Sequence, residues 1–126
     1  MPDPQVKTYN VLVVDDSPTM RRMVMTSLRG LGEVKFTEAG SGLEAIERVA
    51  VAPVDLMILD LNMPEMGGRD ALAKLQQLNP AVKAVILSGG VQLGHNGDCG
   101  QPVRYLQKPF ANDELVRVVG EMLSPS

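Results

Sequence analysis

The fold is decided by residues 11–18, VLVVDDSP, where four apolar residues are followed at once by two acidic residues and a Ser-Pro pair. The apolar run suits a strand that is covered on both faces. Ser17 followed by Pro18 predicts a helix start with the serine as N-cap. Asp15 and Asp16 therefore stand where a buried strand ends and a helix begins.

The same unit recurs along the chain, because short apolar runs alternate five times with segments of helical period. The first, third and fourth runs are continuously apolar and belong in the centre of a sheet, whereas the second and fifth carry polar residues, as edge strands do. The pattern predicts an α/β fold: a doubly wound, flavodoxin-like (βα)5 arrangement with a parallel five-stranded sheet in the order 2-1-3-4-5. The five runs are Val11–Val14, Val34–Thr37, Leu56–Leu59, Val85–Leu87 and Val103–Leu106.

Apolar residues at helical spacing predict the faces of the intervening helices. The first helix is also expected to expose Arg21 and Arg22 as a solvated face. Residues 89–100 contain five glycines, each costing about 1 kcal/mol in a helix relative to alanine, so the fourth helix should be short, displaced or absent. The predicted apolar faces are Met20, Met23, Val24, Ser27, Leu28 and Leu31; Leu43, Ile46, Val49 and Ala50; Leu72, Leu75 and Leu78; and Leu115, Val118, Val119 and Met122.

Length and composition limit the classes of function. The 126 residues suit a single domain, predicted to span 1–126 with a core at about 9–123. A net charge of −3 with only two tyrosines and two phenylalanines offers neither a basic face nor a stacking surface, so direct nucleic-acid binding is not expected. No run approaches the ~18 apolar residues of a membrane span. The single cysteine allows no internal disulfide, and the cytoplasm is the expected compartment.

Polar residues follow four of the five predicted strands. Asp15 and Asp16 end the first, Asp60 ends the third, Ser88 ends the fourth and Lys108 follows the fifth. The carboxyl ends of parallel strands meet at one edge of the sheet, where ligands bind. Three neighbouring carboxylates repel one another unless a cation offsets their charge, and an all-oxygen ligand set suits Mg²⁺. The sequence therefore predicts a Mg²⁺ site at this edge.

Each of these residues alone also has an ordinary structural explanation. The acidic pair could cap a helix, Asp60 and Ser88 could be turn residues, and Lys108 could be a solvated charge. Their joint placement at one sheet edge favours the functional interpretation. A second metal site at His95, Asp98 and Cys99 is discounted, because such residues in a glycine-rich loop are more often simply exposed.

Four motifs carry a resemblance to a known family. In chain order they are VVDDS at 13–17, DLNMPEMGG at 60–68, LSG at 87–89 and KPF at 108–110. Together they resemble the receiver domain of bacterial response regulators in two-component phosphorelay signalling, including the single-domain chemotaxis type. The resemblance covers nearly the whole chain.

The resemblance implies that Asp60 accepts a phosphoryl group from the phosphohistidine of a histidine kinase or phosphotransfer protein, forming an acyl phosphate. Asp16, Asp60 and the backbone carbonyl of Asn62 would ligate Mg²⁺, with Asp15 acting mainly through water. Lys108 and a hydrogen bond from the hydroxyl of Ser88 would stabilise the phosphoryl group.

The resemblance also implies a switch in which the Ser88 hydroxyl moves toward the phosphoryl group and the aromatic ring of Tyr105 follows. The Lys108–Pro109 peptide bond is expected to be cis. Such a protein is a signalling switch that catalyses only its own phosphorylation and slow dephosphorylation. It acts on a downstream protein or output domain that the sequence does not identify, and the family allows a phosphorylation-dependent dimer.

Other classes of function remain open on the residues alone. A docking domain of the same fold would never be phosphorylated, although the complete set of acidic residues, Ser88 and Lys108 argues against it. An aspartate-nucleophile phosphatase usually has Asp-x-Asp after its first strand, whereas the acidic pair here is adjacent. A flavodoxin-like electron carrier would need hydroxyls and backbone donors in the first loop rather than paired acids.

Overall fold

The computed structural model describes residues 8–60, 68–78, 82–88, 103–108 and 110–123. Within these residues all strand pairs are parallel, and the strands lie in the order β2-β1-β3-β4-β5. This confirms the predicted fold class and strand order. The elements are β1 Tyr9–Val14, α1 Pro18–Leu28, β2 Val34–Ala39, α2 Gly42–Val51, β3 Leu56–Asp60, α3 Gly68–Leu78, β4 Lys83–Ser88, β5 Val103–Gln107 and α4 Asn112–Leu123, with a short 3-10 helix at Arg29–Leu31.

The burial of the strands explains their order in the sheet. Every residue of β3 is buried, as are Val11–Val14 in β1 and residues 84–87 in β4. The strands β2 and β5 are only partly buried and lie at the two edges. The predictions for the centre and the edges are both confirmed, since a strand covered on two faces needs apolar side chains in succession.

The sheet separates two apolar cores, because successive side chains of a strand point to opposite faces. One face packs against α1 and α4, and the other against α2 and α3. The central strands are thus held on both sides, which fixes the position of the residues at their carboxyl ends. The first face carries Val11, Val13, Leu56, Ile58, Val85 and Leu87, and the second carries Leu12, Val14, Met57, Leu59, Ala84 and Ile86.

The start of α1 agrees with the sequence prediction. The hydroxyl of Ser17 accepts a hydrogen bond from the backbone N–H of Met20 at 3.2 Å, and Pro18 is the first helical residue. This cap holds the start of α1 next to Asp15 and Asp16. At the other end of the helix, after the 3-10 helix, the chain turns at Gly32, whose φ of +109° is unfavourable for any residue with a side chain.

The predicted apolar face of α2 is partly wrong. Leu43 is 60% exposed, whereas the buried residues of the helix are Gly42 and Ala45. Ile46 and Val49 pack against the core as predicted. Small residues let α2 approach the sheet closely, and this rotates Leu43 toward solvent.

Three predictions lie outside the described residues. They are the irregular helix within residues 89–102, the cis peptide bond before Pro109, and the carbonyl ligand from Asn62. None of the helices in the described ranges combines the length and the apolar character that a bilayer span requires.

Candidate functional site

Three carboxylates meet at the carboxyl edge of the sheet. Asp15 and Asp16 follow β1, Asp60 is the last residue of β3, and β1 and β3 are direct neighbours. One carboxylate oxygen from each residue lies within 4.8 Å of the other two. The parallel arrangement of the two strands brings together side chains that are far apart along the chain.

The carboxylate of Asp15 is buried and incompletely hydrogen-bonded. Its Oδ1 accepts a hydrogen bond from the backbone N–H of Ser17 at 2.9 Å. Its Oδ2 is buried without a hydrogen-bond partner among the described residues. Burial raises the pKa of Asp15 above its ordinary value, the hydrogen bond from Ser17 opposes this, and the nearby charge of Asp60 raises it further. The site therefore holds a negative charge that the described protein atoms only partly stabilise.

Lys108 supplies a positive charge next to Asp60. Its Nζ donates to Asp60 Oδ1 at 3.2 Å. The Asp60 side chain is 5% exposed, whereas that of Lys108 is 25% exposed. The ammonium group of Lys108 is therefore partly in contact with solvent, whereas the Asp60 carboxylate to which it is paired is buried at the end of β3.

The site is open to molecules from solution. A cavity of about 360 Å³ is lined by the three carboxylates, by Lys108 and by residues at the start of α1. The helix contributes Ser17, Thr19, Met20 and Met23. The cavity is large enough to admit a phosphoryl group. All of its charged lining residues lie at the strand ends, whereas the helix side carries two hydroxyls and two methionines.

The donor set fits a hard divalent cation. Such ions take oxygen ligands from carboxylates, and Mg²⁺ in particular combines one or two carboxylates with retained water. The partnerless oxygen of Asp15 and the three oxygens within 4.8 Å of one another are the features that a cation would satisfy.

Comparison with known proteins establishes the family. Residues 11–120 match the model of the response regulator receiver domain. This chain belongs to that family. It is a receiver domain of two-component response regulators, the class of phosphorylation-dependent signalling switches.

Related receivers match over almost their whole length. The response regulator receiver protein CpdR of Brucella abortus is 30% identical over 115 residues, which are 90% of this chain and 95% of CpdR. The chemotaxis protein CheY of Listeria monocytogenes is 29% identical over 114 residues, covering 86% and 93% of the two chains. A CheY-like receiver domain protein from Methanospirillum hungatei has the same fold, with a TM-score of 0.81 at 22% identity over 93% of this chain and 94% of its own.

The receiver's other predicted site residues lie on β4 and β5. Ser88 is the last residue of β4, which neighbours β3, and the register pairs Asp60 with Leu87. Ser88 thus stands one position beyond the level of Asp60 on the adjacent strand. Tyr105 lies on the edge strand β5, opposite Ile86, and is 40% exposed.

Sequence reasoning missed Arg21, which is not part of a solvated face. Its Nη1 donates to the backbone carbonyl of Asp15 at 2.6 Å, and its Nε donates to Glu38 Oε1 at 2.8 Å. Its side chain is 17% exposed. One feature of the sequence indicates that Arg21 lies near the acidic pair. It follows the N-cap Ser17 by four residues, and residues four apart share a helix face. By contrast Arg22 is exposed, as predicted.

Proposed function

We propose that this receiver accepts a phosphoryl group on Asp60 from a phosphohistidine of a histidine kinase or phosphotransfer protein. The observation that carries the proposal is the position of Asp60, a buried carboxylate at a strand end that lies close to the acidic pair and forms an ion pair with Lys108. The match to the receiver family over residues 11–120 supports the same chemistry. We further propose that residues 1–126, with a core at about 9–123, act as one domain.

We propose that the receiver holds Mg²⁺ through Asp16, Asp60 and the backbone carbonyl of Asn62, with Asp15 acting mainly through water. The buried, partnerless Oδ2 of Asp15 supports a cation at this place. When bound, the ion would neutralise the negative charge on the equatorial phosphoryl oxygens. Asp15 and Asp60 are held in place because β1 and β3, at whose ends they lie, are packed against helices on both faces of the sheet.

The transfer step follows from the chemistry of the acidic nucleophile. An oxygen of the Asp60 carboxylate forms a bond to phosphorus, the phosphorus–nitrogen bond of the phosphohistidine breaks, and the imidazole leaves with the electron pair. The product is an acyl phosphate on Asp60. Lys108 is already 3.2 Å from the Asp60 carboxylate, so its ammonium group can pass to a phosphoryl oxygen with little movement. The reaction therefore modifies the receiver itself, which turns over no external substrate.

Ser88 and Tyr105 are the proposed readout of phosphorylation. Ser88 stands beside Asp60 on the neighbouring strand, and its hydroxyl would donate a hydrogen bond to the phosphoryl group. Tyr105 lies partly exposed on the adjacent edge strand and would become buried in the active packing. Phosphorylation thus shifts the population between two packings, which a downstream protein, an output domain or a second copy of the chain would distinguish.

The decisive experiment is labelling by acetyl phosphate, followed by intact-protein mass spectrometry with Mg²⁺ or with EDTA. The wild-type protein should gain one phosphoryl group only with Mg²⁺, and Asp60→Asn should gain none. Asp55→Asn is the matched control, because it makes the same chemical change at the amino end of β3, away from the site at the carboxyl end. Undiminished labelling of Asp60→Asn would disprove the assignment.

The same experiment separates the alternative functions. A wild-type protein that is never labelled, by acetyl phosphate or by any phosphohistidine donor, would be a docking domain. Continuous release of phosphate from phosphomonoesters with many turnovers would indicate a phosphatase instead.

A further inference from the structure

Asp15 is held at three points: its backbone N–H, its side chain and its backbone carbonyl. The N–H of Asp15 donates to the carbonyl of Ala39 at 3.1 Å, and the Oδ1 of Asp15 accepts from Ser17. The carbonyl of Asp15 accepts from Arg21 Nη1 at 2.6 Å. That carbonyl belongs to the peptide unit between Asp15 and Asp16, so the guanidinium sets the plane of the peptide that leads into Asp16.

Asp16 depends on this backbone more than its neighbours do. Its side chain is exposed, and within the described ranges no group is hydrogen-bonded to its carboxylate. By contrast Asp15 is held by Ser17, and Asp60 is held by Lys108. The direction in which the Asp16 carboxylate leaves the chain is therefore determined by the peptide unit that precedes it.

Arg21 is itself fixed at its other end. Its Nε donates to Glu38 Oε1 at 2.8 Å, and Glu38 belongs to β2, where it pairs in register with Val13 of β1. The carbonyl of Glu38 accepts a hydrogen bond from Arg48 Nε at 3.2 Å. The planar guanidinium thus bridges two acceptors on neighbouring strand ends, which the single ammonium of a lysine cannot match with the same geometry.

We infer that Arg21 is a positioning residue of the metal site: by holding the Asp15 carbonyl against the end of β2, it pre-orients the carboxylate of Asp16 for a divalent cation. The inference rests on the proposed function, since it takes Asp16 as a Mg²⁺ ligand. Arg21 acts through the backbone and touches neither the ion nor the phosphoryl group. Its removal lowers the affinity for Mg²⁺ without removing a ligand.

The test is direct measurement of Mg²⁺ binding to the full chain by isothermal titration calorimetry, at a temperature where every variant is folded. Arg21→Gln should weaken binding about tenfold, the usual lower bound when a group that orients a metal ligand is lost. Arg21→Lys retains the charge but loses the planar fork, so it should also weaken binding. Arg22→Gln is the matched control, because it removes the same charge from an exposed neighbour on the same helix.

A second readout reports the peptide itself. The amide nitrogen of Asp16 belongs to the peptide whose carbonyl Arg21 contacts, so its ¹⁵N resonance should shift in the metal-free Arg21 variants and stay in place in Arg22→Gln. Glu38→Ala leaves Arg21 present but removes its anchor, and a smaller loss of affinity is expected. This variant keeps the test decisive if Arg21→Gln fails to fold.

Equal Mg²⁺ affinity in the Arg21 and Arg22 variants, with an unchanged Asp16 resonance, would overturn the inference. Asp16→Asn separates that outcome from failure of the proposed function. If wild-type protein binds Mg²⁺ and Asp16→Asn does not, the metal site stands and only the role of Arg21 is lost. If the wild-type protein does not bind Mg²⁺, or if Asp16→Asn binds as well as wild type, the proposed metal site and the role of Arg21 both fail.

Discussion

Replacing Asp15 by asparagine should stabilise the metal-free protein. The wild-type carboxylate is buried, its Oδ2 has no partner among the described residues, and Asp60 and Asp16 lie nearby. Asparagine keeps an Oδ1 acceptor for the N–H of Ser17. It also places an amide donor beside the remaining carboxylates, where the wild-type protein has a second negative oxygen. Because the Ser17 hydrogen bond is kept and the repulsion between carboxylates is removed, the free energy of the folded state falls.

The size of the effect can be worked from the distances. Two unit charges 4.8 Å apart repel by about 3.5 kcal/mol at an effective dielectric constant of ~20, and by about 0.9 kcal/mol in bulk water. The repulsion energy should lie between these limits, because water in the open cavity and the ion pair between Lys108 and Asp60 both weaken it. We expect the free energy of unfolding to rise by about 2 kcal/mol. For a chain of this length, that raises Tm by roughly 8 °C.

The pH dependence of this effect has a definite sign. The pKa of Asp15 is raised in the folded state, so the folded protein binds a proton there more readily than the unfolded chain does. The penalty of the charged form is absent below the unfolded pKa of 3.8, and it grows as the pH rises through the folded pKa. The advantage of Asp15→Asn should therefore be larger at pH 7 than near pH 3.8 and should disappear below 3.8.

Urea unfolding followed by circular dichroism in EDTA measures the change, and a second series with Mg²⁺ completes the assay. An ion that binds only the folded state at 100 times its Kd adds about 2.7 kcal/mol. We expect Mg²⁺ to raise the free energy of unfolding more for wild type than for Asp15→Asn. The difference in stability between the two proteins should therefore be smaller with Mg²⁺ than in EDTA. Asp55→Asn is the control and should give no stabilisation, because the Asp55 carboxylate already accepts from the N–H of Asn10 at 2.8 Å. If Asp15→Asn in EDTA at pH 7 is no more stable than wild type, the buried Asp15 carboxylate does not destabilise the metal-free fold.

Three further outcomes are expected. Lys108→Ala should retain some labelling by acetyl phosphate but lose the burial of Tyr105 on phosphorylation, measured by tyrosine fluorescence quenching; a normal response would contradict the role of the ammonium group. Ser88→Ala should be phosphorylated and yet leave Tyr105 exposed, so an unchanged response at the ring would end the coupling hypothesis. Gly32→Ala should lower the free energy of unfolding by about 1–3 kcal/mol in urea, because its φ of +109° strains a side-chain-bearing residue, whereas Gly30→Ala should cost much less. Equal losses in the two glycine variants would show that the backbone conformation is not the cause.

The architecture could be predicted because each strand records its surroundings in its own residues. A strand covered on both faces must be apolar throughout, as Leu56–Asp60 is up to its last residue, and an edge strand tolerates charged residues such as Arg104. The start of α1 could be predicted for a similar local reason, since the N-cap serine and the following proline act within one turn.

Predictions that needed the exact rotation of a helix were less successful. The helical period placed Leu43 with Ile46 and Val49, yet Leu43 is 60% exposed because α2 packs through Gly42 and Ala45. The period defines an apolar stripe, and the volume of the side chains that meet the sheet decides how that stripe is turned.

The fold class, the strand order and the edge of the sheet at which Asp15, Asp16, Asp60 and Lys108 gather could all be predicted from the amino-acid sequence. These depend on local apolar runs and on the rule that parallel strands end together. The three-dimensional packing was needed to show that Lys108 pairs with Asp60, 48 residues away, and that one oxygen of Asp15 is buried without a partner among the described residues. It alone showed Arg21 bridging two strand ends. A shift of about an ångström between segments far apart in the chain is enough to break such contacts. Strand register and packing set these distances, and no local sequence pattern encodes them.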